Sequence, residues 1–196
     1  LSRYVVQEGN AYRILPVYNP DPDKELVNTE VALENILTKF QFRGLDDPDI
    51  YYTQDYRSFV QNHRSSLNSL AEALIAEENQ EKAREVLLFS LQKMPDQGVP
   101  FDFTNARMVE LLLEVGEKDR AVEIVNTLTP RLDQMAAYYL EKRQYGRDLQ
   151  ISLIMLGEMQ RVLYAYGESD LAKQVEDIYT RHAEVFQTKG YNRSDF

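Results

Sequence analysis

The clearest hydrophobic rhythm in the chain runs from Arg64 to Gln97. Leu67, Leu70, Ala71 and Leu74, then Ala83, Leu87 and Ser90, recur at helical spacing, and Pro95 closes the stretch. That period gathers apolar and small side chains on one face of each of two helices. Glu78-Asn79 supplies a short polar turn between them, so the stretch predicts a hairpin: one helix ending near Glu77, the next running from about Gln80 to Lys93.

Weaker copies follow. A second pair starts near Phe103 and turns at Gly116, where the missing Cβ permits a left-handed helix end. The last pair is the most apolar, with Leu149, Leu153, Ile154, Leu156, Met159, Leu163 and Tyr166 on one helix and Leu171, Val175, Ile178, His182 and Val185 on the next. The turns Glu78-Asn79-Gln80-Glu81-Lys82-Ala83, Gly116-Glu117-Lys118-Asp119-Arg120-Ala121 and Gly167-Glu168-Ser169-Asp170-Leu171-Ala172 align, each placing an alanine five residues on. A small residue at the crossing of two helices lets their axes approach, and leucine there would overpack the contact. The first hairpin closely follows a tetratricopeptide repeat. Successive alanines lie 38 and then 51 residues apart, against a regular period of about 34. The excess reads as an extra helix from Pro130 to about Tyr145, with Thr129 as N-cap and Pro130 at the first helical position. The predicted class is all-α: irregular tetratricopeptide-like antiparallel hairpins forming an α-α superhelix, each hairpin relying on its neighbours to complete the core.

Residues 1–60 read differently. They hold Pro16, Pro20, Pro22 and Pro48 and many tyrosines. Ala11 to Tyr18 is strand-like, with Pro16 confining it to an edge or an extended arm. Asn28 or Thr29 caps a short helix presenting Val31, Leu33, Ile36, Leu37 and Phe40 and ending near Gly44, and Asp46-Asp47-Pro48-Asp49 makes a second break. The expected organisation is an arm over 1–60 with one short helix packed on the repeats, a helical domain over 61–187, and a frayed tail over 188–196.

Composition narrows the function classes. The chain carries 22 basic and 32 acidic side chains for a net charge of -10, with Lys and Arg scattered singly among acids, so a nucleic-acid partner is not expected. Cysteine is absent, which removes disulfides and thiol catalysis without deciding the compartment. No apolar run approaches the roughly 18 residues a spanning helix needs. The chain begins at Leu1 without a charged-then-apolar leader and reads as an excised, soluble piece of a longer protein, with any membrane segment outside it.

Candidate chemistry is sparse, and no cofactor or metal is expected. Asp46, Asp47, Asp49 and Asp55 offer hard oxygen ligands but lack the glycine and spacing of a calcium loop, and a capped turn explains them. His63 and His182 have no partner at metal-ligand spacing, and no Gly-x-Ser-x-Gly elbow occurs. Acidic residues are abundant without marking the facing pair a glycosidase needs. Tyr51, Tyr52, Tyr56, Tyr138 and Tyr139 are compatible with sugar stacking or with half-buried packing. By alignment the first helices build a partner groove from Ser65, Asn68, Glu72, Ala106, Glu110 and Leu113. Its acids disfavour a carboxylate clamp, which wants Lys, Arg and Asn, and favour a cationic or neutral partner. The groove is either open or covered by the arm.

Two separated stretches point to one family. Tyr12-Arg13-Ile14-Leu15-Pro16, Asn28-Thr29, Lys39-Phe40 and Gly44-Leu45-Asp46-Asp47-Pro48-Asp49-Ile50-Tyr51 precede Leu70-Ala71-Glu72-Ala73-Leu74-Ile75, Ala83-Arg84-Glu85-Val86-Leu87, Met94-Pro95 and Val99-Pro100-Phe101-Asp102. In that order they resemble the C-terminal soluble region of the Bacteroidota membrane proteins grouped as domain-of-unknown-function family 2723, which look like protein O-mannosyltransferases. The resemblance covers residues 10 to 187. It implies a non-catalytic, periplasm-facing interaction or structural domain, with the glycosyltransferase-like chemistry in a multi-spanning region, and it transfers no catalytic residue. The implied location is the periplasmic face of the inner membrane, and the implied partners are a protein or peptide, a second copy, or the membrane region of its own chain. The alternative is a carbohydrate-binding or carbohydrate-active domain. A free cytosolic adaptor leaves the N-terminal stretch unexplained.

Overall fold

The computed structural model describes residues 4–16, 18–19, 26–144 and 146–190, with side chains as far as 188. Within them lie strands β1 (Val5–Gln7) and β2 (Tyr12–Ile14) and seven α-helices: α1 (Thr29–Glu34), α2 (Gln54–Ala76), α3 (Gln80–Lys93), α4 (Phe103–Glu114), α5 (Lys118–Glu141), α6 (Arg147–Ala165) and α7 (Ser169–Gly190). The class is all-α. The chain divides into two compact units, Leu1–Thr104 with Glu114–Gly116, and Asn105–Leu113 with Glu117–Phe196.

In the first unit the arm is built around Gln7. Strand β2 is the strand-like stretch of the sequence, and it pairs antiparallel with β1, Val5 opposite Ile14 and Gln7 opposite Tyr12. On its other side Gln7 accepts from the Asn28 N–H at 2.9 Å and donates its own N–H to the Leu26 carbonyl at 2.8 Å. Its buried amide nitrogen donates to the Ser66 carbonyl of α2 at 2.7 Å, which fastens the arm to the first hairpin. Asn28 is the cap of α1, its Oδ1 accepting from the Val31 N–H, and the short helix buries Ala32. The helix does not reach Gly44. After Glu34 it widens into one π-helical turn, Asn35–Lys39, which buries Ile36 and ends in extended backbone at Phe40. Packing imposes this ending: Asn35 donates to the Glu8 carbonyl at 3.0 Å, and the Phe40 ring lies where a Cβ on Gly9 would sit.

The hairpin of α2 and α3 matches its sequence reading. Leu67, Leu70, Ala71, Leu74, Ala83, Leu87 and Ser90 are all buried. Asn79 caps α3 by accepting from the Lys82 N–H. The aligned turns are one geometry: the N–H groups of Asn79, Glu117 and Glu168 each bond the carbonyl five residues back at 2.8 Å. Each follows a residue at positive φ, namely Glu78 (62°), Gly116 (80°) and Gly167 (81°). This is a Schellman ending, and Glu78 is the non-glycine member. Replacing Glu78 by glycine is therefore expected to raise stability by about 0.5–1 kcal/mol, read as a higher urea midpoint at constant m-value. An unchanged or lower midpoint contradicts the assignment.

The second unit holds the other two aligned alanines, Ala121 and Ala172, both fully buried like Ala83. The sequence is corrected at Pro130. No new helix starts there: α5 is continuous from Lys118 to Glu141 with the proline inside it, and Thr129 is a buried interior residue and not a cap. One buried stripe explains this, since Ala121, Ile124, Val125, Leu128, Leu132, Ala136 and Leu140 keep helical spacing across the proline. Asn126, whose carbonyl the proline leaves without its helical donor, shares the solvent face with Pro130, where water can satisfy it. Helix α5 ends in the same geometry as the hairpin turns, with Arg143 at φ 55° and the Gln144 N–H bonded to the Tyr139 carbonyl; Tyr145 lies outside the described residues.

Helices α6 and α7 form the last hairpin. Its core matches the sequence at Leu149, Leu153, Leu156, Met159, Leu163 and Val175, whereas Ile154 and Tyr166 are not core: they are 62% and 38% exposed. Helix α7 continues through Thr188 to Gly190, and residues 191–196 of the expected tail lie outside the described residues. No helix among the described residues is long and apolar enough to cross a membrane.

Candidate functional site

The polar side chains deepest in the first unit serve joints. Arg64 is fully buried on α2. Its Nη2 donates to the carbonyls of Met94 (3.0 Å) and Val99 (2.6 Å), and its Nη1 to the Pro100 carbonyl and the Asp102 carboxylate, both at 3.1 Å. Burial pulls the guanidinium pKa down, and the charges of Asp102 and Asp96 oppose that. Asp102 in turn accepts from the Thr104 N–H at the start of α4. The result pins the α3–α4 loop onto α2. Gly98, in the same loop, lies against the turn at Leu45 so closely that a Cβ would stand 2.2 Å from the Leu45 carbonyl oxygen. The α3–α4 loop and the turn at Leu45 therefore meet at one joint.

The groove residues predicted from alignment are placed unevenly. On α2, Ser65 and Glu72 are exposed, whereas Asn68 is buried and donates to the Thr104 carbonyl at 2.8 Å, which makes it a structural contact. On α4, Ala106 is buried and Leu113 half-buried, and Glu110 pairs with Arg161 at 3.6 Å. The two trios belong to different units.

The remaining candidates resolve into packing and exposed rings. Asp47 accepts from the Asp49 N–H at 3.0 Å, the bond of a capped turn, and no group of three metal-ligating side chains occurs among the described residues. His63 meets Phe42 edge-on at 5.9 Å, and burial lowers its pKa. His182 is buried on α7 and lies 2.6 Å from the Asp133 carboxylate of α5, which Arg181 also reaches at 2.7 Å. Burial would raise the Asp133 pKa, but the bonds from His182 and Arg181 outweigh it and hold the carboxyl below its ordinary value. That contribution to stability is present above the ordinary carboxylate range and is lost as pH falls through the lowered pKa. Tyr139 packs on Tyr138 at 5.5 Å and donates to Asp148, whereas Tyr51 and Tyr56 are 81% and 62% exposed.

One feature is absent from the sequence reading. An open groove of about 770 Å³ runs along α6 and α7, with Ile154, Gly157 and Arg161 on one side and Tyr179, Ala183 and Phe186 on the other. Ile154 belongs to this groove and not to the core. The signal was available in the face Gln150, Ile154, Gly157, Arg161, whose spacing of four, three and four residues differs in phase from the buried face of the same helix.

No family model matches the chain, and neither a curated protein nor a solved structure matches it significantly.

Proposed function

We propose that this chain is a non-catalytic interaction and structural module of a larger, glycosyltransferase-like membrane protein. It sits on the periplasmic face of the inner membrane and holds a protein partner or acceptor near the embedded chemistry. Its hairpins are of the tetratricopeptide type. The carrying observation is how the deepest polar side chains are used: Arg64, Asn68 and Gln7 are spent on backbone carbonyls that join loops to helices, which suits a scaffold. The membrane placement is supported by the Tyr12–Pro16 and Gly44–Tyr51 stretches.

The test is the coding sequence upstream of Leu1. About ten apolar segments, each of some 20 residues, are expected there, and their absence sinks the placement. Loss of a captured envelope partner in a Glu72→Lys variant of unchanged helicity would support the partner role, and retention would count against it.

One observation favours the second reading, a carbohydrate-binding domain. Tyr56 and Phe59 are both more than 60% exposed, their ring centroids 6.4 Å apart on one helix face, and Tyr51 is more exposed still. Titration with mannosides should then shift the NMR signals of these three rings, and unchanged spectra would remove the reading.

A further inference from the structure

We infer that the tip joining α5 to α6 is a membrane-contact site, in which Lys142, Arg143 and Arg147 meet anionic lipid headgroups while Tyr138 and Met135 enter the interface beside them.

Charge singles out this tip. In the same unit Lys118, Arg120, Arg161 and Arg181 are each paired with a carboxylate. Arg143 and Arg147 are exposed and make no ion pair or side-chain hydrogen bond with any described residue. The two acids of the tip are engaged: Glu141 lies 3.4 Å from Lys142, and Asp148 accepts from the Tyr139 hydroxyl at 3.2 Å. On a chain of net charge -10 most of the surface repels anions. An anionic surface can therefore approach at this tip, with charges farther away than about 8 Å largely screened at physiological salt.

Local structure does not account for the two arginines. Arg143 holds the left-handed position after α5, at φ 55°, which Gly116 and Gly167 hold at two other helix ends, and glycine is the more stable residue there. Arg147 is the first residue of α6, where a cation opposes the helix dipole. Both positions work against the fold and leave a free guanidinium at the tip.

The apolar neighbours complete the match. Tyr138 and Met135, on the outer side of α5, are 54% and 43% exposed, and the Lys142 ammonium stands 6.0 Å from the centre of the Tyr138 ring. An amphipathic ring beside basic side chains suits the headgroup layer, where the ring is buried and the charge stays among phosphates. Residues 141–144 and 146–148 are all exposed, so the tip protrudes. A protruding tip can touch a flat sheet of anions, whereas a specific protein partner needs upwards of about 1,000 Å² of complementary area. The inference agrees with the membrane placement without requiring it: vesicles read the tip, and the upstream coding sequence reads the placement.

Co-flotation of the full chain with vesicles tests it, using phosphatidylcholine alone or with roughly 30 mol% phosphatidylglycerol, at lipid up to about 10 mM. Binding is expected only to the anionic vesicles, and raising salt from about 0.1 to 1 M should abolish it. Arg143→Gly with Arg147→Gln should lower the partition coefficient roughly 25-fold, about fivefold for each cation removed. Arg143→Gly also relieves the left-handed position, so that loss cannot come from unfolding. Tyr138→Ser should weaken binding severalfold. Arg43→Gln with Lys173→Gln, two exposed cations elsewhere, changes the net charge equally and should leave binding unchanged. Failure to bind the anionic vesicles, or equal binding to neutral ones, overturns the inference. Equal weakening by the Arg43, Lys173 pair overturns it too, by making the effect one of net charge and not of the tip.

Discussion

Replacing Arg64 with methionine is expected to destabilise the chain by about 3–5 kcal/mol, the range found when one partner of a buried, hydrogen-bonded ion pair is removed. Methionine keeps most of the volume, so the loss reports the guanidinium and not a cavity. Three carbonyls, those of Met94, Val99 and Pro100, and the Asp102 carboxylate lose their donor together. Unmet buried acceptors cost about 1–3 kcal/mol each when water cannot reach them, so partial opening of the loop brings the total back into that range. Arg64→Lys should recover only part, because an ammonium cannot spread over acceptors set in a fork. Urea unfolding followed by circular dichroism checks both. A loss under about 1 kcal/mol for Arg64→Met would show that the loop holds without its anchor.

Pro130→Ala is expected to act in the opposite direction and to stabilise by about 1–2 kcal/mol. An interior proline costs about 3 kcal/mol relative to alanine, less here because it sits on the solvent face and because proline also restricts the unfolded chain by about 0.4–1 kcal/mol. Alanine restores an N–H for the Asn126 carbonyl. In a chain of this size the thermal midpoint should rise by roughly 2–8 °C. The outcome discriminates two readings of the same residues. If a helix began at Pro130 with Thr129 as its cap, Pro130→Ala would be near neutral and Thr129→Ala would cost about 1 kcal/mol.

Legibility followed the range of the interaction. Hairpin limits at Gln80, Lys93, Phe103, Gly116 and Gly167 were readable because caps and left-handed turns are set within four or five residues. Glu78 shows the boundary of that rule: its turn was read from the aligned position even though its residue type argues against positive φ. The single-helix nature of α5 was not readable, because a Thr-Pro step is an ordinary helix start locally and only the buried stripe from Ala121 to Leu140 overrules it. Arg64 is legible in the sequence as a charge three residues before Leu67 on the apolar face. Of the alignment-based groove, Asn68 was lost to a structural bond with Thr104, because alignment reports the face a residue shares and not what the adjoining loop places against it.

By itself the sequence determined an all-α chain of helical hairpins, with buried alanines at Ala83, Ala121 and Ala172 and a tyrosine- and proline-rich arm ahead of them. Those properties follow from periodicity and local turn chemistry. Only the tertiary structure decided that Arg64 is the hub of the α3–α4 loop, that Pro130 is held inside a helix, and that Ile154 and Gly157 face an open groove. Each is an outcome of competition between a local preference and burial against residues remote in sequence, and no local pattern contains the second half of that comparison.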